Sequence, residues 1–430
     1  MDRRDFIKTS ALAGASLLVD WDNLFAAGTK DIAVGLPWQG WKKGHFQIHF
    51  IYTGVAESLF LIFPDGTSML LDCGDHRGIA RNERALPILS SEEHHTGEII
   101  SKYAEKVNPR GKDVDYMLLS HYHSDHSGGE HYYTEKRVVD GEDYFISGLS
   151  QAAEMLNFSY AIDRCWPTFD DPIPLVDDGD AVMTHMRKLY SYLEKHRGVK
   201  IEKFDLGSET QVRMLHNPGS YKGFSVRNIC SNGRIITPEG EVIDLYAERK
   251  KNPPRAFNEN GMSTGMIFSY GPFRFFTAGD FSDYWNRADG TRVDIEDELG
   301  KVIPSVNVAK LNHHGYDESM TPGLVSALRA QVYVSCIWGC GHDVDSVLTR
   351  LADRNLYPGN RVICPTLMPV QRRKVDWDKV WMKDVSKASF DPGHVVVDVQ
   401  PGGRTYTVSY LETGEDLKVR SVMHFDSVNK

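Results

Sequence analysis

The chain has 430 residues, 59 of them acidic and 49 basic, for a formal net charge of −10. Hydrophobic residues make up 41 % and charged residues 25 %, which excludes a disordered chain, a coiled coil and a collagen-like fibre. No apolar run reaches the roughly 20 residues a bilayer demands, and the acidic total disfavours nucleic acid except in a local basic groove.

The first residues, Asp2-Arg3-Arg4-Asp5-Phe6-Ile7-Lys8, precede a small and apolar run from Thr9 to Val19. Two arginines, a bulky apolar pair and a lysine resemble a twin-arginine export signal. Residues 1–27 are therefore expected to engage the twin-arginine machinery and send the chain to the periplasm or beyond. The alternative is an amphipathic N-terminal helix with solvated charges.

His45 to Tyr52 alternates Phe46, Ile48 and Phe50, the period-two pattern of a strand. Glu57 to Phe63 and Ser68 to Leu71 follow as a hairpin around Pro64-Asp65-Gly66. A helix is predicted over 92–107, stopped by Asn108-Pro109, and a strand over Tyr116 to Ser120. Residues 145–160 read as helical, as does Asp180 to Arg197, with Val182, Met186, Leu189 and Leu193 on one face and Gly198 at its stop. Val212 to Val242 reads as strands and turns, beginning with a strand over Val212 to Leu215, and 248–258 as an exposed loop. A second strand set follows: Met266 to Tyr270, Phe273 to Thr277 and Val306 to Leu311. A helix opening at Thr321-Pro322 leads to a strand over Gln331 to Ile337. A helix over Asp343 to Arg354 and the hairpin strands Val395 to Val399 and Thr405 to Leu411 close the chain. Strands and helices in this order predict two packed sheets with helices outside.

The chain holds 17 histidines and 6 cysteines. Cys73, Cys165, Cys230, Cys336, Cys340 and Cys364 are too scattered for a zinc ribbon or a disulfide framework and read mainly as small buried apolar residues. The histidines cluster. Ser120-His121-Tyr122-His123-Ser124-Asp125-His126 leaves an apolar strand with three imidazoles and a carboxylate, the donor types that bind zinc or another borderline metal. His121 and His123 can reach one metal, while Asp125 and His126 reach a second about 3.5–4 Å away.

This run resembles the metallo-β-lactamase superfamily motif His-x-His-x-Asp-His, complete at His121, His123, Asp125 and His126. Leu59 to Gly66 with Leu70-Leu71-Asp72-Cys73-Gly74 is similar to that family's opening hairpin and aspartate turn, which gives Asp72 the role of bracing the histidine loop. Phe275 to Asp280 is similar to its strand ending in Gly-Asp, whose carboxylate bridges both metals. Lys310-Leu311-Asn312-His313-His314-Gly315, with Gly341-His342, resembles the soluble domain of ComEC-type competence proteins, apart from Asp343 where that group has proline. The resemblance implies an α/β (α+β) fold, a four-layer αββα sandwich over residues 45–415 with an insertion around 140–258. It also implies one or two Zn2+, with Mn2+ or Fe2+ compatible, bound by His121, His123, Asp125, His126, Asp280 and one of His313 and His314, with His314 slightly favoured. Asn260 stands where the family's isolated third histidine is expected, about twenty residues before Asp280, as a weak neutral ligand or none. His216 is a candidate substitute.

The expected activity is that of an exported metal-dependent hydrolase using a metal-bound hydroxide on phosphodiester or phosphate-ester bonds, in a small molecule or a polymer. Asp125 would orient the nucleophile. His342 or Lys310 would hold the substrate's developing charge, with a purely structural role the alternative for His342. Two rivals stand beside this reading: a hydrolase of carboxylic esters, lactones or β-lactams, and a metal-binding or sensing module without turnover. Arg249-Lys250-Lys251 and Arg372-Arg373-Lys374 read as solvated surface, with a polyanion contact as the alternative.

Overall fold

A computed structural model describes residues 33–76, 86–91, 94–129, 135–172, 181–247, 258–339 and 341–428. The expected leader at 1–27, the basic run Arg249-Lys250-Lys251 and Cys340 lie outside the described residues. Strand Phe46–Phe50 shows why two sheets form: Phe46 stacks on Phe268 at 5.9 Å and Phe50 meets Phe275 edge-on at 5.9 Å, both from the second strand set. Its alternate residues point the other way, where His49 Nδ1 lies 3.0 Å from the Tyr103 hydroxyl on helix Thr96–Val107. Both faces of the strand are thus covered.

The first sheet has nine strands, in the order Val419–Asp426, Thr405–Leu411, His394–Val399, Phe46–Phe50, Leu59–Ile62, Ser68–Leu71, Asp113–Leu118, Asn157–Asp163 and Lys200–Lys203. The second has eight: Val242–Asp244, Arg234–Ile236, Phe224–Ser231, Gly265–Tyr270, Phe273–Thr277, Val308–Lys310, Val332–Ser335 and Val362–Pro365. Each sheet is antiparallel on one side and parallel on the other, the parallel sets being Ser68–Leu71 through Lys200–Lys203 and Phe273–Thr277 through Val362–Pro365.

The buried apolar residues follow the layers. One cluster lies between the sheets, from Phe46 and Phe63 to Phe268 and Val334. A second packs helices Thr96–Val107, Leu149–Met155 and Ala181–Tyr192 on the outer face of the first sheet. A third packs Ile295–Gly300, Pro322–Leu328 and Asp345–Ala352 on the second. This is the expected four-layer αββα sandwich.

Several local readings change. Residues 145–160 are not one helix: strand Glu142–Ile146, helix Leu149–Met155 and strand Asn157–Asp163 share that stretch. Gly148 breaks it at φ +54°, where a Cβ would lie 2.3 Å from the Cys73 carbonyl. Val212 to Leu215 is irregular, because its backbone bonds to side chains instead of a strand, Leu215 N donating to Thr67 Oγ1 at 2.8 Å. Residues 140–258, expected as an insertion, supply strands to both large sheets. Cys73, Cys165, Cys230, Cys336 and Cys364 are free and buried. No helix among the described residues is long and apolar enough to cross a membrane.

Candidate metal centre

The chain leaves the carboxyl ends of the parallel strands of both sheets at one edge, the usual place for a site in such sheets. Ser68–Leu71 runs into Asp72, Asp113–Leu118 into the histidine loop, Phe273–Thr277 into Asp280, and Val308–Lys310 into His313 and His314. The loop is clamped through its backbone. Cys73 N donates to the His126 carbonyl at 2.8 Å, Asp75 N to that of Ser124 at 2.9 Å, and Glu57 N to that of Asp125 at 2.9 Å. Only a glycine allows this approach at position 74, since a Cβ there would sit 1.7 Å from the Asp125 carbonyl oxygen.

Asp72 braces the loop. Its Oδ1 accepts from Ser120 N at 2.7 Å, and its Oδ2 accepts from Ser120 Oγ at 2.7 Å and from His126 Nδ1 at 2.8 Å. His126 therefore turns Nε2 toward the site. His314 does likewise, since its Nδ1 lies 3.0 Å from the Cys336 carbonyl and 3.1 Å from Glu57 Oε2. To aim there, His313 and His314 adopt left-handed φ values of +46° and +51°. That conformation costs of order 1–2 kcal/mol per residue in L-amino acids.

Four donor atoms then converge. His126 Nε2 lies 3.3 Å from His314 Nε2, 3.2 Å from Asp280 Oδ2 and 3.6 Å from Asp125 Oδ2. His314 Nε2 lies 3.0 Å from Asp125 Oδ2 and 3.4 Å from Asp280 Oδ2. Donors about 2.0–2.1 Å from one tetrahedral ion would be spaced by roughly 3.3 Å. Beside them, His121 Nε2 lies 3.0 Å from His123 Nδ1 and 3.8 Å from Asp280 Oδ2. Glu57, His126, Asp280 and His314 form one set of donors close enough to share an ion, and His121, His123 and Asp280 another. Asp280 is common to both, and its Oδ1 is buried without a hydrogen-bond partner.

The charge balance also asks for a cation. With neutral imidazoles the buried cluster holds Glu57, Asp72, Asp125 and Asp280 against Lys310, or 1 − 4 = −3. Burial disfavours charge on His126, but the carboxylates of Asp280, Asp125 and Asp72 outweigh it and hold this imidazole well above its usual range. For His314, too, Asp280, Asp125 and Glu57 overcome burial. The same carboxylates would stabilise a divalent ion held between these two imidazoles. His121, farther from the carboxylates, is pushed well below its usual range by burial and by the neighbouring His126 and His123. Asp280 is held well below the carboxylate range, because His126 and His314 prevail over burial.

The remaining expected residues fall elsewhere. Lys310 is a correction: it is 0 % exposed, and its Nζ donates to Glu57 Oε2 at 2.9 Å and to the Gly279 carbonyl at 2.9 Å. It lies behind the cluster, where no substrate charge can reach it. His313 is outside the converging group, its Nε2 lying 3.3 Å from Asn260 Nδ2. Asn260 keeps Oδ1 buried and unpartnered. His342 stacks on His314 at 4.9 Å with a 10° interplanar angle, its Nδ1 also unpartnered. His216 is no substitute ligand, because it pairs through Nε2 with Asp115 Oδ2 at 3.0 Å and its own N–H donates to Asp65.

Two participants escaped the sequence reading. Glu57 is buried, with Oε1 2.7 Å from Lys310 Nζ. Its signal was a lone acid in the apolar run Val55 to Phe63, mirrored by a lone lysine in Val306 to Leu311. Trp338 meets His342 edge-on at 4.5 Å and His76 at 5.2 Å, and its indole N–H is buried without a partner.

Residues 52–141 match the family model described as the metallo-beta-lactamase superfamily. The match includes Glu57, Asp72, His121, His123, Asp125 and His126. No curated protein matches the chain.

Proposed function

We propose that this chain is an exported hydrolase that uses one or two divalent metal ions, zinc foremost, on phosphodiester or phosphate-ester bonds. The observation that carries the hydrolase reading is the convergence of His126, His314, Asp125 and Asp280, with the far nitrogen of each imidazole already committed to an acceptor. His121, His123 and Asp280 would hold a second ion. When bound, such ions supply Lewis acidity, polarising an ester oxygen and making water a nucleophile near neutral pH.

The chain's own residues do the rest. Asp125 is buried at the cluster's edge, with 12 % side-chain exposure, where its carboxylate would orient the attacking water by accepting a hydrogen bond from it. Asp72 and Ser120 keep His126 and His121 in the tautomers that leave Nε2 free. The unpartnered N–H of Trp338 and the ring nitrogens of His342 and His313 border the cluster, and donors of this kind suit the oxygens of an anionic ester. They favour phosphate over carboxylic esters. Export is read from Arg3, Arg4, Phe6, Ile7 and Lys8 alone.

The test combines metal analysis of the purified protein with turnover of a generic phosphodiester, a lactone and a chromogenic β-lactam. Phosphodiester turnover that vanishes with chelation, and metal lost together with turnover in Asp280→Ala, is the expected result. Faster turnover of the lactone or β-lactam would shift the substrate class. Stoichiometric metal without turnover of any would leave a sensing module. Fractionation that finds the full-length chain in the cytoplasm would refute export.

A further inference from the structure

The three most exposed large apolar side chains among the described residues are Val375 at 74 %, Trp377 at 71 % and Val380 at 71 %. Val375 ends the short helix Val370–Val375 and Trp377 and Val380 follow it, and Val370 at its start is also exposed at 43 %. The exposure is built into the fold. Asp376 and Trp381 are buried between and beside these residues, and the Trp381 indole donates to Asp345 Oδ1 at 2.8 Å. Asp376 N donates to the Arg372 carbonyl at 2.8 Å and Lys379 N to that of Asp376 at 3.0 Å, so the turn that presents Trp377 is hydrogen-bonded. An aromatic ring and two valines held in water are unfavourable unless something covers them.

The charges around them say what that cover is. Lys374, Lys379, Lys383 and Lys387 are exposed, and between residues 370 and 387 Asp378 is the only exposed acid. The whole chain is at −10, so this basic stretch runs against the overall charge. Nucleic acid would engage the lysines and stack on Trp377 but leave the valines idle. A lipid interface takes all of them, with tryptophan at headgroup depth, valines below it and lysines against anionic headgroups.

We propose that residues 370–387 dock this protein on an anionic lipid surface, with Trp377, Val375 and Val380 inserted and Lys374, Lys383 and Lys387 paired to headgroups. The element lies beside the metal centre. Lys379 and Trp381 both hold Asp345, which opens the helix directly after His342-Asp343-Val344. Docking there would anchor the start of the helix that follows His342 at the membrane surface. The inference does not depend on turnover, so it survives or fails separately from the hydrolase reading.

Cosedimentation of the full chain with vesicles tests it, using phosphatidylcholine alone and equal parts phosphatidylcholine and phosphatidylglycerol. Binding is expected only to the anionic vesicles and should weaken as salt is raised. It should fall about tenfold or more in Trp377→Ser/Val380→Ser and again in Lys374→Glu/Lys383→Glu, with metal content unchanged. Absence of binding to anionic vesicles, or binding that both variants retain, overturns the proposal. So does a wild-type dimer that Trp377→Ser/Val380→Ser converts to monomers without any lipid binding, which would assign the patch to a second copy. DNA binding lost in these variants, with vesicles ignored, would assign it to nucleic acid.

Discussion

An imidazole offers a cation one nitrogen only when the other is fixed, and at this site the fixing groups carry as much consequence as the ligands. Asp72 fixes His126, while the Cys336 carbonyl and Glu57 fix His314. Glu57 has a second duty, because it is the buried counter-charge of Lys310. Removing its charge in Glu57→Gln therefore has two separable effects. An uncompensated buried lysine should cost about 3–5 kcal/mol of stability. A loosened His314 should weaken metal binding roughly 10–100-fold. Adding Lys310→Met removes the stranded charge, so the double variant should regain most of the stability and little of the affinity. Denaturant midpoints and competition against a metal chelator measure the two quantities. Wild-type metal affinity in Glu57→Gln would refute the positioning role.

At the level of elements, legibility in the sequence followed the range of the contact. The histidine loop was legible because three imidazoles and Asp125 lie in one short segment after an apolar strand. Pro64-Asp65-Gly66 and Thr321-Pro322 marked a hairpin and a helix start through local backbone chemistry, and both stand where expected. Lys310 was misread because its partner Glu57 lies 253 residues away, and nothing local says that the pair is buried. Residues 145–160 were misread because helical periodicity cannot register a glycine required by the Cys73 carbonyl of a distant turn. Gly74 offers a test of such close approaches. In Gly74→Ala the new Cβ would meet the Asp125 carbonyl oxygen at 1.7 Å, so the loop carrying Asp125 and His126 must move. A destabilisation of about 1–3 kcal/mol is expected, and turnover should fall about a hundredfold for an ångström-scale shift of the loop. Thermal unfolding with metal analysis and kinetics reads both, and wild-type values throughout would show that the clamp is dispensable.

The four-layer architecture covers both faces of the first sheet, and this sets how the whole molecule responds to acid. His49 faces outward from the sheet but lies under helix Thr96–Val107, between the Tyr103 hydroxyl and Gln47 Oε1. His394 accepts from Tyr52 N and packs against the same Tyr103 ring at 4.5 Å. Burial, aided by His394, pushes His49 down to about 3, and burial, aided by Arg420, pushes His394 down to about 3. His185, on the buried face of helix Ala181–Tyr192, is lowered to about 4 by burial, aided by Lys188. None of these groups touches the metal centre. In the unfolded chain each imidazole protonates near 6.5, while in the native state it stays neutral until a much lower pH. Between those values the unfolded state binds more protons, so stability is intact above about pH 6.5 and falls as the pH drops. At pH 5 the loss is of order 2 kcal/mol for each fully buried histidine. Urea midpoints measured near neutrality and near pH 5, in the presence of chelator, should therefore differ more for the wild type than for His49→Gln or His394→Gln. The chelator keeps metal release out of the comparison, and the charged cluster titrates alike in all three proteins. If the variants lost as much stability between the two pH values as the wild type, the buried imidazoles would not be the source of the acid sensitivity.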